Sequence, residues 1–286
     1  MTLSDNIELN SGISLHTLLL AVISATLITA CSTGKVARVE KQDGISHHHP
    51  PPANIEAIPD AVPKEEPLSR YGNPDSYVVF GKRYYTLDDY KGYSARGIAS
   101  WYGSKFHGQR TSSGEAYDMY AMTAAHKSLP LPSYVRVTNL KNNRSVVVKV
   151  NDRGPFHDNR LIDLSYTAAW KLGITAEGTG LVEVVSLDPK STKTAVAAKP
   201  VKLKKGSMLP ELFLQVGAFG SPENAQRLKE RLEEQLQTRV LIEDSANPER
   251  PVYRVQVGPI ASVELADHLS QRLAKLGIDD PHVVIR

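Results

Sequence analysis

Between residues 94 and 187 apolar and polar positions alternate in short runs, not in helical periods. The run Gly97-Ile98-Ala99-Ser100-Trp101-Tyr102-Gly103 predicts a strand that stops at glycine. Residues 134–140 alternate through Val135 and Val137, and residues 145–150 through Val146, Val148 and Val150. Asn142-Asn143 between them has the chemistry of a hairpin turn. Residues 180–187 predict a last strand, and a single short helix over 166–172 is framed by Ser165 as N-cap and Gly173 as C-terminal stop. Five or six short strands with one helix predict a small β-barrel.

The C-terminal part is patterned differently. At an offset of 41, Gln215-Val216-Gly217 recurs as Gln256-Val257-Gly258, Ser221 as Ser262, and Ala225, Leu228 and Leu232 as Ala266, Leu269 and Leu273. Each half reads as a strand followed by an amphipathic helix. Further strands near 239–244 and 282–286 complete a βαββαβ order. Strand alternation turns Leu214, Val216, Val255 and Val257 toward the helices and leaves Phe213, Gln215, Arg254 and Gln256 on an open sheet face.

The first 93 residues are punctuated by other signals. Residues 15–30 form an uncharged apolar run, too short to span a bilayer comfortably, that ends Leu27-Ile28-Thr29-Ala30-Cys31. Small residues directly before a cysteine resemble a bacterial lipobox, which implies a signal peptide over 1–30 and lipidation of Cys31. The stretch before it carries Asp5 and Glu8 and no Lys or Arg, a departure from the usual positively charged start. Residues 31–69, with Pro50-Pro51-Pro52, Pro59, Pro63 and Pro67, predict a disordered tether. His47-His48-His49 within it lacks a preformed metal geometry and reads as a solvated tract. Tyrosines crowd 71–93, and residues 76–85 predict a hairpin around Phe80-Gly81-Lys82.

Composition narrows the picture. With 41% hydrophobic residues in 286, disorder of the whole chain is excluded, and one cysteine excludes a disulfide scaffold or a multi-cysteine zinc site. Net charge is +3, or +5 without residues 1–30. Residues 187–210 hold six basic residues and one acidic, a Lys-rich linker (188–210), whereas residues 211–286 carry −3. An acidic C-terminal domain in an exported chain argues against nucleic acid, although RNA-recognition modules share the βαββαβ order.

Candidate chemistry clusters between the barrel strands, in Thr111-Ser112-Ser113-Gly114-Glu115 with Asp118, in Thr123-Ala124-Ala125-His126, and in Asn151-Asp152-Arg153-Gly154-Pro155-Phe156. Loops at strand ends are where a barrel presents functional side chains, although an Asp before Gly-Pro also fits plain turn chemistry. These runs, together with Phe106-His107-Gly108 and Ile162-Asp163-Leu164-Ser165, resemble the rare lipoprotein A family across about residues 70–187. The resemblance implies a six-stranded double-psi β-barrel and a septal-ring lytic transglycosylase, with Asp152, Glu115, His126 and Asp118 as catalytic residues. In that chemistry a single carboxyl protonates the glycosidic oxygen and then accepts the proton of the substrate's C6 hydroxyl. The resemblance gives this role to Asp152, with Glu115 as the neighbouring carboxylate that raises its partner's pKa and His126 as an orienting hydrogen-bond partner. No cofactor or metal is implied; His107, His126 and Asp152 are the conceivable but disfavoured metal set. Residues 211–286 resemble a SPOR domain, implying glycan binding through Phe213, Gln215, Arg254 and Gln256. The implied partners are peptidoglycan strands, a membrane through Cys31, and proteins of the division site, with the outer membrane's periplasmic leaflet at the septum as the location. A non-catalytic expansin-like wall-binding protein and a two-carboxylate hydrolase stay open as alternatives.

Overall fold

The computed structural model of the chain describes residues 51–191 and 210–286 apart from 246 and 248. The leader, Cys31, the histidine tract and most of the Lys-rich linker lie outside the described residues.

Strands β1 (Ser76–Val79) and β2 (Lys82–Tyr85) form the hairpin expected around Phe80-Gly81, both of which have positive φ as a two-residue hairpin turn requires. Six strands then close a barrel: β3 (Ser94–Trp101), β4 (Thr123–His126), β5 (Ser133–Asn139), β6 (Ser145–Asp152), β7 (Arg160–Leu164) and β8 (Gly180–Ser186). Their order around the barrel is β3-β7-β4-β6-β5-β8. The β3/β7 and β4/β6 pairs are parallel and the other four antiparallel. Val135, Val137, Val146, Val148, Val150, Ile162, Leu164, Val182 and Val184 fill the interior. Helix α1 (Tyr166–Leu172) sits between its expected caps: Ser165 accepts a hydrogen bond from the Ala168 amide, and Gly173 is left-handed. Strands β4 and β7 escaped the alternation because they are short, and Thr123-Ala124-Ala125-His126 has no bulky apolar rhythm.

One irregularity decides where the chemistry points. Along β6, Val146, Val148 and Val150 face inward, so strict alternation would send residue 152 inward as well. The register against β4 shifts instead: Ala124 pairs with Val150, but Ala125 pairs with Asp152. Asn151 is the extra residue of a β-bulge, and it turns Asp152 to the outer face.

Residues 51–69 of the tether expected over 31–69 are ordered against the barrel. Ile55 is buried among Tyr102, Tyr117 and Met119. Asp60 accepts from the Val147 amide (2.9 Å) and pairs with Lys171 (2.9 Å), and the Ala61 amide donates to the Val147 carbonyl (3.0 Å). A proline-rich strip can be ordered with little apolar surface of its own when its backbone and carboxylates are satisfied by the wall it lies on.

The C-terminal domain has the expected order: β9 (Leu212–Phe219), α2 (Pro222–Leu236), β10 (Val240–Asp244), β11 (Tyr253–Ile260), α3 (Val263–Lys275) and β12 (His282–Ile285). Its antiparallel sheet runs β10-β11-β9-β12. Ser221 and Ser262 cap the two helices, accepting from the amides of Asn224 and Leu265.

The two domains are not separate bodies on a leash. Ile98, Leu140 and Leu181, which point out of the barrel, join the apolar cluster of the C-terminal domain, and Ile98 is completely buried there. Arg160 forks onto Asp267 (3.0 and 2.6 Å), Asn159 donates to Asp267 (3.3 Å) and Ser270 (2.8 Å), and Lys82 pairs with Asp280 (2.6 Å).

Candidate active site

The bulged end of β6 is stitched to the 111–115 loop by two adjacent residues. Asp152 Oδ1 accepts from the Ser112 amide (2.7 Å), the Ser112 hydroxyl (2.7 Å) and the Arg153 amide (2.8 Å). No partner is recorded for Oδ2 among the described residues. Asn151 donates its side-chain amide to Glu115 Oε2 (2.7 Å), and its carbonyl accepts from the Ser113 amide (3.2 Å).

Glu115 also receives Lys149 Nζ at 2.8 Å, and Lys149 reaches Glu66 of the N-terminal strip at 3.0 Å. Burial pushes the Glu115 carboxyl up, but the hydrogen bonds from Asn151 and Lys149 and the lysine's charge outweigh it and hold the group below its ordinary value. Glu115 is thus kept as an anion, and its charge is answered by Lys149. The expectation that it acts mainly by pressing a proton onto a neighbouring carboxylate gains no support from these contacts.

His126 stands elsewhere. It is 2% exposed, and its Nδ1 accepts from the amides of Leu129 (3.0 Å) and Ser128 (3.2 Å). The neutral ring therefore carries its proton on Nε2 and donates it to the Tyr93 hydroxyl, 2.9 Å away. Burial, with Arg153 and Lys127 nearby, pushes its pKa down to about 3. The sequence reading had His126 hydrogen-bonded to a carboxylate; both ring nitrogens are spent on Tyr93 and the 128–129 backbone instead. Asp118 is exposed, accepts from the Tyr120 amide (2.9 Å), and has no recorded bond to Glu115, His126 or Asp152. The structure thus brings Glu115 and Asp152 to one loop and leaves His126 and Asp118 outside it.

Sequence reasoning passed over several neighbours. Ser112, Lys149 and Asn151 hold the carboxylates. Arg153 binds the carbonyls of Gly72 (2.8 Å) and His126 (3.1 Å) and the side chain of Asn73 (3.1 Å), tying the N-terminal strip to the barrel. The fixed spacing of Ser112 and Asp152 within their motifs was visible; their pairing across forty residues was not.

On the C-terminal sheet the expected face is partly covered. Gln215 and Arg254 are half-buried and reachable, but Phe213 and Gln256 are only 1% exposed. Arg286 lies over the Phe213 ring at 4.7 Å, donates to Gln256 Oε1 and pairs with Glu243 at 2.9 Å. Gln256 in turn donates to Glu243 at 3.0 Å. Open-face position did not make these two accessible, because the Arg286 side chain lies across them.

Two family models match the chain. Residues 94–184 fit the family model described as lytic transglycolase, and residues 211–285 the SPOR domain model. An endolytic peptidoglycan transglycosylase RlpA of Pseudomonas aeruginosa strain UCBPP-PA14 is 39% identical, covering 89% of this chain and 92% of its own. The Vibrio cholerae protein of the same name is 43% identical over 81% of this chain and 84% of its own. A crystal structure of the Pseudomonas aeruginosa RlpA SPOR domain aligns with 26% of this chain and 96% of that one, at 30% identity and a TM-score of 0.24.

Proposed function

The chain belongs to the RlpA family of endolytic peptidoglycan transglycosylases, and from that premise we propose how its barrel cleaves glycan. The protein is a lytic transglycosylase of peptidoglycan strands. The bond between N-acetylmuramic acid C1 and the leaving O4 of N-acetylglucosamine breaks. The muramic acid O6 closes onto C1, giving a 1,6-anhydro end. One proton must reach O4 and one must leave O6, and no water enters.

Asp152 is the carboxylate that exchanges protons with the sugar. The supporting observation is the bulge that turns it outward while three donors pin Oδ1, which leaves Oδ2 to the substrate. Glu115, anionic and set by Asn151 and Lys149, is placed to stabilise the positive charge that develops on the ring as the bond breaks. His126 supports the site from within the wall. The test is Asp152→Asn with peptide-free glycan: the variant should stay folded and lose 10²–10⁴-fold or more in rate, read as anhydro ends by mass spectrometry. Wild-type rates in the folded variant would remove Asp152 from the chemistry.

The SPOR domain binds peptidoglycan. In our reading it takes strands stripped of stem peptides through the face around Gln215 and Arg254, and this enriches the enzyme at the septum. Cys31, lipidated, would hold it on the periplasmic side of the outer membrane, where several acyl chains anchor stably.

A further inference from the structure

We propose that Asp163 is a second catalytic carboxyl of this site and delivers the proton to the leaving oxygen, while Asp152 receives the proton from O6. This inference rests on the transglycosylase reading above and divides its proton traffic between two groups.

The geometry comes from strand register. Ser100 pairs with Asp163 across β3/β7, Asp163 with Ala125 across β7/β4, and Ala125 with Asp152 across β4/β6. Residues opposite one another in adjacent strands share a face, so these four form a row on the outside of the barrel. Two strand spacings separate the two aspartates, roughly 10 Å between their backbones, and Ala125 between them is buried with Ile55, Tyr102, Tyr117, Met119 and Tyr166. A sugar ring set across this stretch of the barrel wall has one carboxyl at each side. Tyr102 adjoins the row: its buried hydroxyl senses the charge of both aspartates. It lies against Thr123 Oγ1 without a well-formed hydrogen bond, and neither group has another partner among the described residues.

Asp163 is half-buried, its Oδ1 takes the Ser100 hydroxyl, and Oδ2 has no partner among the described residues. Burial raises its pKa, opposed by the Ser100 hydrogen bond and by the charges of Arg160 on its own strand, Lys127 beyond β4 and His157 beyond β6. Among the described carboxyls with a resolved shift, it alone is moved upward. In the reaction C1–O4 breaks as O4 takes the proton of Asp163, and C1–O6 forms as Asp152 takes the proton of O6. The proton returns from Asp152 to Asp163 through solvent once product leaves.

The experiment uses the full chain and two substrates: peptide-free glycan, and a muramic acid oligosaccharide whose leaving group is 4-nitrophenol. Nitrophenolate departs without an acid. Asp163→Asn should cleave glycan 10²–10⁴-fold more slowly yet release nitrophenol within about tenfold of wild type, whereas Asp152→Asn loses both. Ser100→Ala, which removes a hydrogen bond that lowers the Asp163 pKa, should move the alkaline limb of the glycan pH profile upward. This second variant decides the matter if Asp163→Asn does not fold. Wild-type glycan cleavage by Asp163→Asn, equal loss on both substrates in a folded variant, or an unmoved limb in Ser100→Ala would overturn the proposal. Hydrated instead of anhydro ends from the wild type would instead overturn the transglycosylase reading and leave the leaving-group test of Asp163 standing.

Discussion

His126 shows how one side chain links the catalytic motifs to the stability of the barrel. Its ring is neutral and buried, with a pKa near 3, against about 6.5 in an unfolded chain. Above pH 6.5 neither state binds the proton and stability is unaffected. Between about 6.5 and 3 the unfolded state binds a proton that the folded state refuses, so stability falls as the pH falls, by about 1.4 kcal/mol per unit. Urea midpoints at pH 7, 5.5 and 4.5 should decline with that slope beyond the general acid effect. His126→Gln should start lower and lose that part of the slope. An unchanged slope would mean that the ring is protonated inside the fold. A catalytic defect in His126 variants would then be read first as a loosened 126–131 wall, since Ser128 and Leu129 lose their acceptor.

At the level of elements, the C-terminal sheet separates two glutamines that the internal repeat makes look equivalent. Gln215 is half-buried at the centre of the open face, whereas Gln256 sits beneath Arg286 and against Glu243. Gln215→Glu should therefore keep the domain's melting temperature and weaken binding to peptide-free glycan by tenfold or more in a sedimentation assay. Gln256→Glu sets a second carboxylate beside Glu243 and should cost about 1–3 kcal/mol of domain stability. The same contrast marks what was legible beforehand. The repeat, both serine-capped helices, the 142–143 turn and the helix between Ser165 and Gly173 were written in local chemistry, and the structure has them. The bulge at Asn151 was not, because Val146, Val148 and Val150 run on in perfect alternation and the extra residue is fixed only by pairing with β4. Nor was the row from Ser100 to Asp152 legible, since it exists only when four strands distant in sequence lie side by side. Position on a face was readable for Phe213 and Gln256; exposure was not, because Arg286, which covers them, comes beside them only once the sheet is folded.

For the molecule as a whole, the Arg160–Asp267 fork and the buried Ile98 join the two domains on either side of the Lys-rich segment. Removing residues 211–286 should leave the barrel folded, since its interior is complete, but should bare Ile98, Leu140 and Leu181 and lower its solubility. Circular dichroism and light scattering on the truncated form, with and without Ile98→Thr, check this; a soluble, monomeric truncation without that change would show that the apolar contact is dispensable. Asp267→Ala in the whole chain leaves Arg160 largely buried without its partner and should loosen the docking by about 2–4 kcal/mol, seen as new protease cleavage near residue 159. Arg160 and Asp152 are the two ends of one connection, from the end of β6 to the start of β7. With that connection clamped, the proposed glycan-binding surface and the proposed cleavage face should keep a fixed offset. The expected consequence is a length dependence: strands long enough to reach from one to the other should be cut faster than by the barrel alone, and shorter oligosaccharides should show no such advantage.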